Sequence, residues 1–182
     1  MLKYILLGFL QYGPMTGYDL KRVIDFSTTH FWHAYHSQIY STLRKMDADG
    51  LVASETDDSG ADKLSRRVYT LTEAGEATLN AWLGEPMTEL PAHKDESMVR
   101  VFFSGRRDKD AVLSELRLQR ELHQQKLATY RSYTADNLLP EDIDADMSRE
   151  AGFWAMTLRH GMEYETMYIH WLDEMIDWVE TL

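Results

Sequence analysis

The chain has 182 residues, 44% of them hydrophobic, with 19 Lys+Arg against 30 Asp+Glu and no cysteine. That hydrophobic share supports a folded core and excludes wholesale disorder. The lack of cysteine excludes disulfides and thiolate metal sites and fits a reducing compartment. A net charge of -11 argues against a protein that coats nucleic acid indiscriminately, so any DNA contact has to be local.

Met1–Leu10 is apolar with Lys3 as its only charge. The run is short and is followed by Gln11-Tyr12-Gly13-Pro14 rather than a small-residue cleavage site, so it is read as a helix and not a signal peptide. No stretch approaches the roughly 20 apolar residues of a membrane span, and a cytoplasmic protein with no membrane partner is expected.

In chain order, residues 2–12 form a first helix with Leu2, Ile5, Leu6, Phe9 and Leu10 on one face, stopped by Gly13-Pro14. Thr16 is the expected N-cap of a second helix from Gly17 to about Asp25. After the aromatic stretch STTHFWHAYH, Ser37 is the expected cap of a third helix. There Ile39, Leu43 and Met46 share the core-facing stripe, and Ser37, Tyr40, Ser41 and Arg44 point away, flanked by Gln38 and Lys45. Asp49-Gly50 closes it. Leu51–Thr56 and Arg66–Thr72 read as two strands of a hairpin around the polar segment DDSGADK. TEAG opens a fourth helix, with Thr72 as its cap, running to about Leu83.

GEPMTELPAH marks a linker, giving domains over 1–84 and 95–182 joined by 85–94. Beyond it, DESMVRVFFSG is a short helix. Asp108 caps a long helix to about Ala135, DNLLPEDIDAD breaks the chain, and a last long helix starts near Met147. This last helix has two apolar stripes. One is Ile169, Leu172, Ile176 and Val179; the other contains Tyr164, Tyr168, Trp171, Met175, Trp178 and Leu182. A helix apolar over so wide an arc must be covered from two directions, by its own chain and by a second subunit. Ile169, Leu172, Ile176, Val179, Trp171 and Trp178 are therefore the expected dimer contacts. The acid excess is unevenly spread: 18 acidic against 11 basic residues over 93–182, and 12 against 8 before it.

QIYSTLRKMDADGLV followed by RRVYTLTEAG resembles the PadR family of bacterial transcriptional regulators. GPMTGYDL resembles the start of that family's second helix, and HKDESMVRVFFSG the opening of its C-terminal region. The family commonly has proline after the tyrosine of the first motif, where this chain has Ser41. The resemblance implies a mainly α fold: an N-terminal winged helix-turn-helix with a two-stranded wing, then a helical C-terminal dimerisation domain. It also implies a homodimeric, sequence-specific DNA-binding regulator, acting as a repressor released by a small-molecule effector.

On that reading the third helix enters the major groove of a pseudo-palindromic operator in double-stranded DNA. Ser37, Gln38, Tyr40, Ser41, Arg44 and Lys45 would face bases and phosphates. Lys63, Arg66 and Arg67 would bring the wing to the backbone or minor groove. Tyr18 and Lys21 lie near a helix N-terminus, where a phosphate can sit, although core packing is an equal alternative for Tyr18. Trp154, Trp171, Trp178 and His123 are candidates for a pocket taking a flat aromatic or apolar effector. Arg120 and His123 either orient an acidic group of such a ligand or lie at a helix flank. His30, His33 and His36 recur every third residue, which is not a zinc spacing, so no metal or other cofactor is expected. No nucleophile elbow, P-loop or dinucleotide fingerprint appears, and the chain is not read as an enzyme. The alternative is a winged-helix protein-interaction or adaptor module without DNA binding, which the acidic balance and Ser41 favour.

Overall fold

A computed structural model describes residues 1–28, 31–57, 66–91, 94–133 and 148–182, with the side chains of Asp57 and Ser148 excepted. These fall into two compact units, Met1–Thr88 and Glu89–Leu182.

The first unit runs α1 (Leu2–Leu10), β1 (Met15–Thr16), α2 (Gly17–Ser27), α3 (His36–Ala48), β2 (Val52–Asp57), β3 (Arg66–Leu71) and α4 (Glu73–Gly84). Leu6, Leu7 and Leu10 of α1, Leu20 and Ile24 of α2 and Ile39, Leu43 and Met46 of α3 converge on one core, closed by Val52, Tyr69 and Leu79. Tyr4 stacks on Trp82 with ring centroids 4.4 Å apart, fastening α1 to α4.

The expected two-stranded wing belongs to a three-stranded antiparallel sheet of order β1-β3-β2. The extra strand is the dipeptide Met15–Thr16, paired with Tyr69 and Val68. It arises because an N-cap residue has extended backbone: Thr16, at φ -78° and ψ 163°, caps α2 and pairs with β3 at once. Two residues carry no periodicity, so the sequence could not announce it. Thr72 caps α4, as its spacing indicated, by accepting the Gly75 N–H at 3.1 Å.

One cap differs. The extended residue before α3 is Tyr35, not Ser37. Gln38 reaches back so that its Oε1 accepts the Tyr35 N–H at 3.2 Å, tying the helix start to Tyr35. Ser37 is left on the exposed first turn of the helix.

The second unit holds α5 (Glu96–Phe102), a short 3-10 turn (Ser104–Arg106), α6 (Lys109–Ser132) and α7 (Ser148–Glu180). Asp108 caps α6, accepting the Ala111 N–H at 3.0 Å. α6 and α7 are antiparallel: Val112, Leu113 and Leu116 near the start of α6 meet Leu172, Ile176 and Val179 near the end of α7, and Tyr130 near the end of α6 meets Leu158. The break segment DNLLPEDIDAD lies outside the described residues.

This packing corrects the expected dimer contacts. Leu172, Ile176 and Val179 are buried by α6 of the same chain. Ile169 and Trp171 are half-buried, and only Trp178 is well exposed. A helical wheel shows two apolar faces but not which one the chain's own partner helix takes.

Candidate nucleic-acid interface

α3 buries Ile39, Leu43 and Met46 and exposes Ser37, Gln38, Tyr40, Ser41, Arg44 and Lys45. Two of these polar groups are partly committed. Ser41 Oγ donates to the Gln38 carbonyl at 3.0 Å. That is the main-chain oxygen; the Gln38 side-chain Oε1 is held by the cap, which leaves the side-chain NH2 as a donor. Gln38 is thus pre-set to address an acceptor, such as guanine O6 or N7 or a phosphate oxygen, rather than to form a bidentate pair with adenine.

Beside this face lies a groove of about 850 Å³ whose lining includes Tyr18, Arg22, Tyr40, Arg44, Arg66 and Arg67. Four arginines from α2, α3 and β3 thus line one concavity, although the unit as a whole is acidic. Asp19, which also lines the groove, is occupied by the cap. Its Oδ2 accepts from Thr16 Oγ1 at 2.6 Å and from the Thr16 N–H at 3.1 Å, and the Asp19 N–H donates back to Thr16 Oγ1 at 3.1 Å. This carboxylate therefore holds the start of α2 in place. Planar, permanently charged donors along one groove suit phosphate oxygens or base edges.

Gly17 fits this arrangement because a Cβ there would stand 2.5 Å from Tyr40 Cε1. The Tyr40 ring can rest against the first turn of α2 because residue 17 has no side chain.

Tyr18 is 63% exposed and lines the groove, which resolves its two readings against the core. Lys21 behaves otherwise. Its side chain is only 12% exposed and ion-paired with Asp25 one turn on, so α2 does not offer it to the groove. Arg22 takes that place and was missed. The signal was its spacing, four residues after Tyr18 and so on the same face. Arg66 and Arg67 are exposed on β3, opposite Asp57 and Thr56 in register. Lys63 lies outside the described residues, as does His30. His33 and His36 turn to different rings, His33 edge-on to Tyr35 and His36 over Tyr40.

The second unit contains a cleft of about 830 Å³ between α5, α6 and α7, its lining including Lys94, Asp95, Arg100, His123, Tyr164 and Tyr168. Of the four candidates for an effector pocket, only His123 lines it. Trp178 is exposed, while Trp171 stands edge-on to Tyr168 at 5.5 Å and packs on the helix core. Trp154 is half-buried elsewhere on α7.

The cleft rests on a buried carboxylate that sequence reasoning passed over. Glu165 is 1% exposed, ion-paired with His123 and, at 2.9 Å, with Lys126 Nζ. Burial works to lower the Lys126 pKa, but the hydrogen bond and attraction of Glu165 outweigh it and the ammonium is raised above its usual value. His123 stacks on Tyr168, centroids 4.1 Å apart. Tyr168 donates its phenol proton to Asp95 Oδ2 at 2.9 Å, and burial foremost, aided by that carboxylate, pushes its pKa up to about 12. Asp95 Oδ1 meanwhile caps α5 through the Ser97 and Met98 N–H groups. Arg120 pairs with Asp173 at 2.6 Å. Neither Arg120 nor His123 is left unengaged for a ligand's acidic group.

Comparison with known proteins agrees with this architecture. Residues 6–81 match the model of the transcriptional regulator PadR-like family, and residues 93–180 that of the virulence activator alpha C-terminal region. The negative transcriptional regulator PadR of Bacillus subtilis is 29% identical over 182 residues, covering 99% of this chain and 98% of that protein. The crystal structure of B. subtilis PadR in complex with operator DNA superposes with a TM-score of 0.80 at 28% identity, over 98% of each chain. That of B. subtilis PadR in complex with p-coumaric acid gives 0.75 at 25% identity, again over 98% of each. The chain thus carries a PadR-like transcriptional regulator domain over residues 6–81 and is similar to B. subtilis PadR along its whole length.

Proposed function

We propose that the protein is a homodimeric, sequence-specific DNA-binding repressor of the cytoplasm, which acts by binding alone and is released from its operator by a small effector. The observation that carries this reading is the groove. Four arginines from three elements converge beside the exposed face of α3, in a fold shared with a relative solved on operator DNA. Two such units on a two-fold axis would meet a pseudo-palindrome with half-sites about one helical turn apart. Gln38, Ser41 and Arg44 would read base edges, and Arg22, Arg66 and Arg67 would engage phosphates or the minor groove.

The cleft of the second unit is the effector site on this reading. Tyr164, Tyr168 and His123 give it an aromatic wall, and Lys94 adds a cation for an acidic substituent. The p-coumaric acid complex of the B. subtilis relative makes that compound the first ligand to try. A ligand that favours one arrangement of the dimer over another shifts the DNA-binding population accordingly.

The test is fluorescence anisotropy on DNA from upstream of the protein's own gene and on scrambled DNA, at two salt concentrations, with and without p-coumaric acid. Selective, salt-sensitive binding that the acid weakens supports the whole reading. Selective binding that the acid leaves unchanged removes this ligand alone. A folded protein with no preference at either salt overturns DNA recognition and leaves the adaptor reading.

A further inference from the structure

The stretch STTHFWHAYH between α2 and α3 carries rings that operator recognition leaves unused. Burial alternates along it. Trp32 and Ala34 turn to the core of the first unit, while Phe31, His33 and Tyr35 face solvent, Phe31 at 54% and Tyr35 at 65% exposure. Extended chain produces such alternation, and Tyr35 has extended backbone at φ -82° and ψ 150°. Three aromatic side chains are thus presented outward within five residues. Large rings gathered at a surface mark an interaction site.

These rings lead towards the arginine groove. His33 stands edge-on to Tyr35, with centroids 5.1 Å apart. The next residue, His36, lies nearly parallel to Tyr40, with centroids 6.4 Å apart. Tyr40 in turn lines the groove with Arg22, Arg44, Arg66 and Arg67. Exposed ring faces beside a cationic groove are the two parts of a surface for unpaired nucleotides: bases stack on the rings and phosphates follow the cations. A duplex makes little use of such rings, because its base faces are stacked on one another inside the helix. A single strand offers those faces freely.

We propose that Phe31, His33 and Tyr35 form a stacking platform for unpaired bases, so that the first unit also binds single-stranded nucleic acid, with the phosphates running into the arginine groove. Charge complementarity selects this occupant: the platform adjoins four arginines, which suit a phosphate backbone. The activity goes beyond operator recognition and does not depend on it, since stacking needs no sequence read by α3. Duplex and single strand share the groove and therefore compete for it.

The experiment is fluorescence anisotropy of the full-length protein on labelled oligothymidylate, which does not pair with itself. Three ligands run beside it: an abasic strand of the same length and charge, oligouridylate, and the duplex from upstream of the gene. Oligothymidylate is expected to bind at least tenfold tighter than the abasic strand. Phe31→Ala and Tyr35→Ala are each expected to weaken it about tenfold and to leave the duplex within twofold. Tyr35→Phe, which keeps the ring, is expected to bind as the unmodified protein does. The Tyr35 N–H that Gln38 accepts belongs to the backbone and survives both changes at this position. Tighter binding of oligouridylate than of oligothymidylate supports the platform and makes RNA its strand. Equal binding of the abasic strand, or alanine variants that hold oligothymidylate unchanged, overturns the platform and leaves a groove acting by charge alone. Equal losses on single strand and duplex assign the rings to the duplex and overturn it as well. If the duplex does not bind, operator recognition falls, and the single-strand ligands still decide the platform.

Discussion

Arg44 combines the features expected of a base-reading side chain: an outward position on α3, a place in the arginine groove and a planar, permanently charged head. Arg44→Ala is expected to weaken specific binding by about 1–3 kcal/mol and to relax sequence preference at one position of each half-site, measured by competition with singly substituted operators. In the second unit, Tyr168 tests how strongly its phenol is held. Its pKa is raised from 10.0 to about 12 in the folded chain. The folded state therefore keeps a proton that the unfolded chain gives up above pH 10. The resulting stability is fully present below pH 10 and is lost as pH rises towards about 12. Thermal melts should show this alkaline decline, and Tyr168→Phe should flatten it. That variant should also lose about 1 kcal/mol at neutral pH with the hydrogen bond to Asp95.

Among the elements, the junction of β1 and α2 decides how the groove is assembled. Thr16 is at once strand, cap and groove wall, and Gly17, with no side chain, lets the Tyr40 ring rest against the first turn of α2. Gly17→Ala puts a methyl group against that ring, not against backbone. The expected result is a folded protein with a small change in Tm and a several-fold loss of operator affinity, because Tyr40 must swing into the groove. A variant with unchanged affinity would show that Tyr40 is not positioned by this contact.

For the whole molecule, the charge distribution sets the terms of association. An acidic chain can bind DNA only where cations are concentrated, and here they are gathered at one groove. Binding should therefore weaken steeply with salt through counterion release. Removing a phosphate contact from the strand that carries Arg66 and Arg67 should act evenly across sequences. Arg66→Ala and Arg67→Ala are each expected to lower the slope of log K against log salt by about 1 per copy, with selectivity between operator and scrambled DNA kept.

The sequence by itself determined the helices and the hairpin of the first unit, though not the dipeptide β1 or the cap of α3, because the signals of those elements are local. Thr16 and Thr72 cap what they were expected to cap, and Ile39, Leu43 and Met46 face the core at the spacing of one helical stripe. The outward face of α3 followed from that stripe by subtraction. What the tertiary structure decided were the choices between chemically similar neighbours. Lys21 and Arg22 are adjacent cations on α2, and only packing turns one inward to Asp25 and the other to the groove. Glu165 reads as one more surface acid until α6 brings His123 and Lys126 against it. The two apolar stripes of α7 differ in composition, one aliphatic and one mainly aromatic, yet neither announces its partner, and which residues α6 covers depends on the register of two antiparallel helices. Periodicity fixes which residues share a face; only long-range packing fixes what that face meets.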